Sequence, residues 1–292
     1  MKKGAKAAFM RVQYWRRRRP WVALLGAAMA LAGGALAGGS LALSQTAAPS
    51  YPNSIVAIGH SGLTGYDSDR PRDPARWRHN SWGTGDNPAV NSVYSRVLAK
   101  NPTVKGNNVN LAINGSDVAS LLLQARKAIS LKPTPELFLV QSVDNDVACD
   151  GSDPRRYKPF GAALVRVLEV ITEGAPNARI YLPSQWATTQ NFANVVKAAR
   201  PGRRAAFSGT GPCDFLAKDG RALPARVAYL EKVITAYHAQ LAASCARFPN
   251  CVYDGGATHR AKFVLADMSY DLSHLSVQGH RKVAAIAWSV LY

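Results

Sequence analysis

Short apolar runs alternate along this chain with longer stretches whose apolar residues recur at helical spacing. Residues 54–58 (Ser-Ile-Val-Ala-Ile) form a compact run closed by Gly59, and further runs follow at 108–112, 136–141, 178–182 and 251–253. Nearly continuous apolar runs of this length read as strands buried on both faces. Between them, residues 89–99 follow Asn87-Pro88, a fitting N-cap and first-turn pair. Residues 116–130 carry Val118, Leu121, Leu122 and Ala125 at helical spacing, and 160–172, 225–246 and 277–291 complete the helices. Strands alternating with helices predict an α/β fold: a three-layer α/β/α sandwich around a mostly parallel sheet of about five strands.

The start of the chain breaks this pattern. Residues 21–43 contain no charge, are built from Ala, Leu and Gly, and follow directly on Arg16 to Arg19. A basic flank before an apolar stretch marks a segment inserted with its positive end in the cytoplasm. Residues 1–44 are therefore read as a signal peptide or an uncleaved membrane anchor, 45–52 as a linker and 53–292 as one folded domain. Small-x-small sites near Ala37 and Ser44 suit cleavage. In either case the domain is expected outside the cytoplasm, secreted, periplasmic or at the cell surface.

The formal charge of +18 is inflated by this segment, since eight of the 36 basic residues lie in the first twenty positions. Setting them aside leaves 28 basic against 18 acidic residues, a net +10. That reads as a soluble basic surface; no nucleic-acid module accompanies it, and a monomer is expected. Four cysteines, Cys149, Cys213, Cys245 and Cys251, agree with an oxidising compartment and lack C-x-x-C spacing. Four cysteines allow three pairings; Cys245–Cys251, which closes a short loop, with Cys149–Cys213 is the favoured one.

The candidate chemistry sits at the two ends of the domain. Ser61 follows the first strand in Gly59-His60-Ser61-Gly62, where flanking glycines allow a sharp turn and an exposed hydroxyl. A serine hydroxyl is a poor nucleophile at neutral pH and needs a base within reach. Near the C-terminus, Asp271-Leu272-Ser273-His274 offers an imidazole and a carboxylate three residues apart. Such a pair supplies the base and the group that fixes its tautomer. The remaining histidines, His60, His79, His238, His259 and His280, show no metal-ligand spacing, so neither metal nor other cofactor is expected. Trp77, Trp82, Trp186 and Phe192 read as core more than cleft. The polar loop at 80–87 is the first place to seek substrate contacts.

In these residues the chain resembles the SGNH (GDSL-like) hydrolases. That family has a nucleophile block after the first strand, then a Gly block, a G-x-N-D block and D-x-x-H near the end. The matching segments here are Gly59-His60-Ser61, Asn110 to Gly115, Val143-Asp144-Asn145-Asp146 and Asp271 to His274, in the same order. The resemblance spans about residues 54–284 and implies a flavodoxin-like sandwich with a Ser61–His274–Asp271 triad. It also implies an oxyanion hole from the Ser61 N–H, the Gly115 N–H and the Asn145 amide. Two departures stand out: His60 replaces the usual Asp, and Val143 replaces a Gly, which makes the backbone there less permissive. The activity implied is hydrolysis of acyl esters, with a small molecule, lipid or acylated glycan as substrate. Acyl transfer or deacetylation on a surface polysaccharide, and a silent cell-surface binding protein of the same fold, are the alternatives.

Overall fold

The computed structural model describes residues 50–69 and 73–292. The segment expected to be a signal peptide or anchor, and the expected linker up to residue 49, lie outside the described residues. The apolar runs form β1 (Ile55–Ile58), β2 (Asn108–Asn110), β3 (Leu137–Val140), β4 (Arg179–Leu182) and β5 (Cys251–Tyr253). All pair in parallel, in the order β2-β1-β3-β4-β5. Every residue of β1 and β3 is buried, while the edge strands β2 and β5 are only half-buried. This is the burial expected of central and edge strands in a sheet covered on both sides.

The longer helices are α1 (Val93–Leu98), α2 (Val118–Ile129), α3 (Tyr157–Gly174), α4 (Thr189–Ala198), α5 (Pro224–Cys245) and α6 (Val277–Leu291). The chain steps from β1 outward to β2 through α1, then back across β1 to β3 through α2. From there it continues to β4 and β5 in the same direction. Right-handed crossovers put α1 on one face of the sheet and α2, α3 and α5 on the other. The packing agrees: α2 lies on α3 and α3 on α5, whereas α6 packs against α1. The result is the α/β/α sandwich, and residues 51–292 belong to one compact unit. Its core is led by Trp82, Phe138, Tyr181, Phe215, Tyr237 and Phe263. Among the described residues, no helix is long and apolar enough to cross a membrane.

Side-chain caps explain most helix starts. Ser92, Asp117, Thr188 and Ser276 each accept a hydrogen bond from the backbone N–H three residues on. The first helix starts at Val93 and not at residue 89. Asn87 instead accepts from the Ala89 N–H in a tight turn, and Asn91 adopts a φ of 49°. Helix α4 has no counterpart in the sequence reading, because Gln190, Asn191 and Asn194 dilute its apolar stripe. Strand β2 ends at Asn110, whose Oδ1 accepts from the Ala112 N–H (3.1 Å) in a local turn while its amide donates to the carbonyl of Leu63 (2.9 Å) and the hydroxyl of Thr84 (3.0 Å).

Residues 199–223, between α4 and α5, form an irregular segment over an aromatic cluster of Trp186, Phe192, Phe207, Phe215 and Phe263. Two disulfides are present, Cys149–Cys213 and Cys245–Cys251, spanning 64 and 6 residues. Closing the longer loop removes more entropy from the unfolded chain. Replacing Cys149 and Cys213 by Ser is expected to cost about 4 kcal/mol, against about 2 kcal/mol for the Cys245–Cys251 pair. Denaturant unfolding of the two double variants measures the difference.

Candidate active site

In this strand order the loops leaving β1 and β3 run to opposite faces, which opens a crevice at the carboxyl ends of those two strands. Ser61 follows β1 and Asn145 follows β3, so both enter it. Beyond β1, His60 is extended and its Nδ1 accepts from the Gly62 N–H (3.1 Å). This caps the one-turn helix Ser61–Thr64 and leaves the Ser61 side chain part-exposed. An Asp carboxylate would be an acceptor here, and the imidazole serves in its place. Burial lowers the pKa of His60, against the pull of Asp144, and keeps it neutral as that bond requires. The turn ends at Gly65 with φ 73°, where a Cβ would stand 2.0 Å from the Trp77 carbonyl. Only glycine fits there.

The C-terminal loop brings the other two groups in. His274 Nε2 lies 2.8 Å from Ser61 Oγ, 213 residues away in sequence, and its Nδ1 lies 2.7 Å from Asp271 Oδ2. With Nδ1–H donating to the carboxylate, Nε2 is free to accept the serine proton. Asp271 Oδ1 accepts from the Ser269 hydroxyl (2.5 Å) and from the N–H groups of Ser273 (2.9 Å) and His274 (3.0 Å). Burial pushes the Asp271 pKa up, but the hydrogen bond and charge of His274 and the donors at 269 and 273 outweigh it. The carboxyl is held well below its usual range. Tyr66 lies against the imidazole at 4.7 Å and Trp77 against Tyr66 at 4.4 Å. Trp77 thus belongs to the wall of the site, whereas Trp82 and Trp186 are buried in the core.

The two candidate donor loops are fastened to the nucleophile turn. Gly115 has φ 80°, and a Cβ there would meet nothing within 4 Å. Among the described residues, neither the Ser61 nor the Gly115 N–H has a hydrogen-bond acceptor. The Asn145 amide gives one hydrogen to the Ser116 carbonyl (2.9 Å), leaving its second for another acceptor. Arg78 holds the approach to Gly115 through the carbonyls of Asn110 (2.8 Å) and Ala112 (3.1 Å). Buried Gln124, on α2, ties the parts together. It accepts from the Gly59 N–H (2.7 Å) and donates to the Gly59 carbonyl (3.1 Å) and the Ser116 hydroxyl (2.9 Å). Asp146 adds a second tie, accepting from the N–H groups of Val118 (3.0 Å) and Val143 (3.3 Å). Burial pushes Asp146 up to about 7 despite those bonds.

Val143 takes φ 96° and Leu272 takes φ 62°, both side chains fully buried. Non-glycine residues in this region store on the order of 1–3 kcal/mol each. Val143 therefore performs a glycine's turn under strain, and the Asn145 amide still reaches the Ser116 carbonyl. The loop at 80–87 departs from expectation. Asn80, Ser81, Trp82 and Thr84 are buried, with Asn80 donating to Ser68 and Trp82 to Gln141. It is scaffold behind the nucleophile turn and offers little surface for substrate. Among the described residues, no cluster of three or more His, Cys, Asp or Glu side chains is arranged to hold a metal ion.

No family model and no curated protein matches the sequence. Similar solved structures include a family 3 carbohydrate esterase from Clostridium thermocellum, 13% identical over 81% of this chain and 94% of that one, with a TM-score of 0.47. Phospholipase A1 from Streptomyces albidoflavus NA297 is 13% identical over 81% and 98% of the two chains, with a TM-score of 0.48. An extracellular lipase from Streptomyces rimosus is 13% identical over 81% and 99%, with a TM-score of 0.49.

Gln124→Leu strands the Gly59 N–H and the Ser116 hydroxyl, and leaves the Gly59 carbonyl only the Ile113 N–H. It is expected to cost roughly 2–4 kcal/mol in denaturant unfolding. Asp146 gives a pH dependence. An acid whose pKa rises on folding, here from 3.8 to about 7, supports the fold below the lower value. That support is lost as pH climbs through the higher one. Between about pH 4 and pH 7 the wild type is therefore expected to lose stability relative to Asp146→Asn, as read from paired unfolding curves.

Proposed function

We propose that this protein is an exported serine esterase that cleaves acyl esters through an acyl-Ser61 intermediate. The reading is carried by one observation, the continuous hydrogen-bonded line from Ser61 Oγ through His274 to Asp271. His274 Nε2 takes the serine proton as Oγ attacks the ester carbonyl. The carbonyl oxygen, now negative, meets the Ser61 and Gly115 N–H groups and the second amide hydrogen of Asn145. Each fixed donor of this kind contributes about 10²–10³ in turnover. Asp271, ionised and pinned by three donors, holds the imidazolium and its tautomer. The proton then passes from His274 to the departing alcohol, and water, activated by the same base, releases the acid.

Export is supported by the uncharged stretch behind the Arg16 to Arg19 run and by two disulfides. A cell-envelope lipid or an acylated glycan would be the ester available to an enzyme so placed. The half-buried aromatic pair Tyr66 and Trp77 gives the site one apolar wall for such a group.

The full chain, assayed on short-chain p-nitrophenyl esters, is expected to turn over and to be labelled at Ser61 by a serine-directed phosphonate. Ser61→Ala is expected to reduce kcat by at least about 10³ and to abolish labelling. Turnover surviving that substitution rejects the mechanism. Acyl groups appearing on an added alcohol or glycan in preference to water assign the transferase activity instead.

A further inference from the structure

The turn that carries Asp271 is gripped from outside the catalytic set. Arg203, in the 199–223 segment, donates from Nη2 to the Ser269 carbonyl (2.8 Å) and from Nε to the Tyr270 carbonyl (2.9 Å). Its guanidinium also lies over the Tyr270 ring, 5.0 Å from the centroid. The two carbonyls belong to the residues immediately before Asp271. The Ser269 carbonyl also accepts from the Leu272 N–H (3.1 Å), closing the turn in which Leu272 is strained. A planar guanidinium with two donors aimed at successive carbonyls fixes both position and orientation. Arg203 itself has a firm base. Cys213 of the same segment is bonded to Cys149, four residues past Asn145, and Arg226 on α5 holds the Gly209 (2.8 Å) and Asp214 (2.9 Å) carbonyls.

We propose that Arg203 is a positioning residue that sets the Asp271 carboxylate against His274, acting through the Ser269 and Tyr270 carbonyls. This rests on the esterase reading above. Without the guanidinium, the turn before Asp271 loses its tie to the 199–223 segment, and the strained backbone at Leu272 is held less firmly. A misalignment of that kind lowers turnover without changing how substrate binds.

The test uses the full chain with Arg203→Ala, Arg203→Lys and Arg226→Ala, the last loosening the same segment without touching the Asp271 turn. Arg203→Ala is expected to lower kcat on p-nitrophenyl acetate roughly ten- to a hundredfold with KM little changed. Guanidinium ion added to the assay restores part of that loss and nothing in the wild type. Arg203→Lys, which reaches one carbonyl at a time, falls between. The far-downfield proton resonance of His274 Nδ1–H is expected to broaden or vanish in Arg203→Ala and to persist in Arg226→Ala. The proposal is overturned if Arg203→Ala keeps wild-type kcat with that resonance in place. It is equally overturned if Arg226→Ala costs as much as Arg203→Ala, since the loss would then lie in the folding of the segment. Should the alanine variant not fold, Arg203→Lys decides by the same two readouts. If the wild type hydrolyses no ester, the esterase reading fails, and the resonance alone judges Arg203.

Discussion

The architecture of the crevice depends on one buried amide. Gln124 bonds both backbone groups of Gly59 and the hydroxyl of Ser116, so a single side chain on α2 joins the end of β1 to the loop that follows β2. Buried polar groups must be paired, and a side chain that pairs three of them at once leaves little freedom to any. The Ser116 carbonyl then passes the constraint to Asn145, and Asp146 returns it to α2 through Val118. Three loops from three strands are thereby locked in mutual register before any substrate arrives. That is the preorganisation electrostatic catalysis needs.

A second constraint is conformational. The D-x-x-H turn and the loop after β3 each contain a buried aliphatic residue at positive φ, Leu272 and Val143. Neither conformation is favourable in isolation, and each persists because burial of the side chain and local hydrogen bonds over-determine it. The sheet is regular by contrast, with its parallel register uninterrupted from β2 to β5. Among the described residues, two of the six non-glycine residues at positive φ stand beside the proposed chemistry.

Much of this was legible in the order of residues. The five apolar runs became the five strands, and Gly59-His60-Ser61 followed the first of them as its glycines imply. Periodicity identified four of the long helices well because their apolar stripes are continuous, and it failed for α4, whose stripe is broken by amides. The boundary of α1 was misread because Asn87-Pro88 has two uses, helix cap and tight turn, and only the surroundings choose between them. Gln124 carried a signal, a lone amide on the apolar face of a helix, but its partners are 65 and 8 residues away. Arg203 carried none, since an arginine in a polar loop is ordinary until the carbonyls it faces are known. The loop at 80–87 misled for the opposite reason: its polar side chains bond to one another and to Ser68, and leave the surface.

The separation of Ser61 from its base has a consequence for the life of the molecule. A ribosome or translocation channel delivers residue 61 long before residue 274, and β1 has its neighbours β2 and β3 well before the last helix exists. Throughout that interval the hydroxyl lacks the His274 partner, so under the proposed mechanism the growing polypeptide could not attack an ester. In the proposed mechanism reactivity switches on only when the tail docks, so catalytic competence would be a report on completed folding.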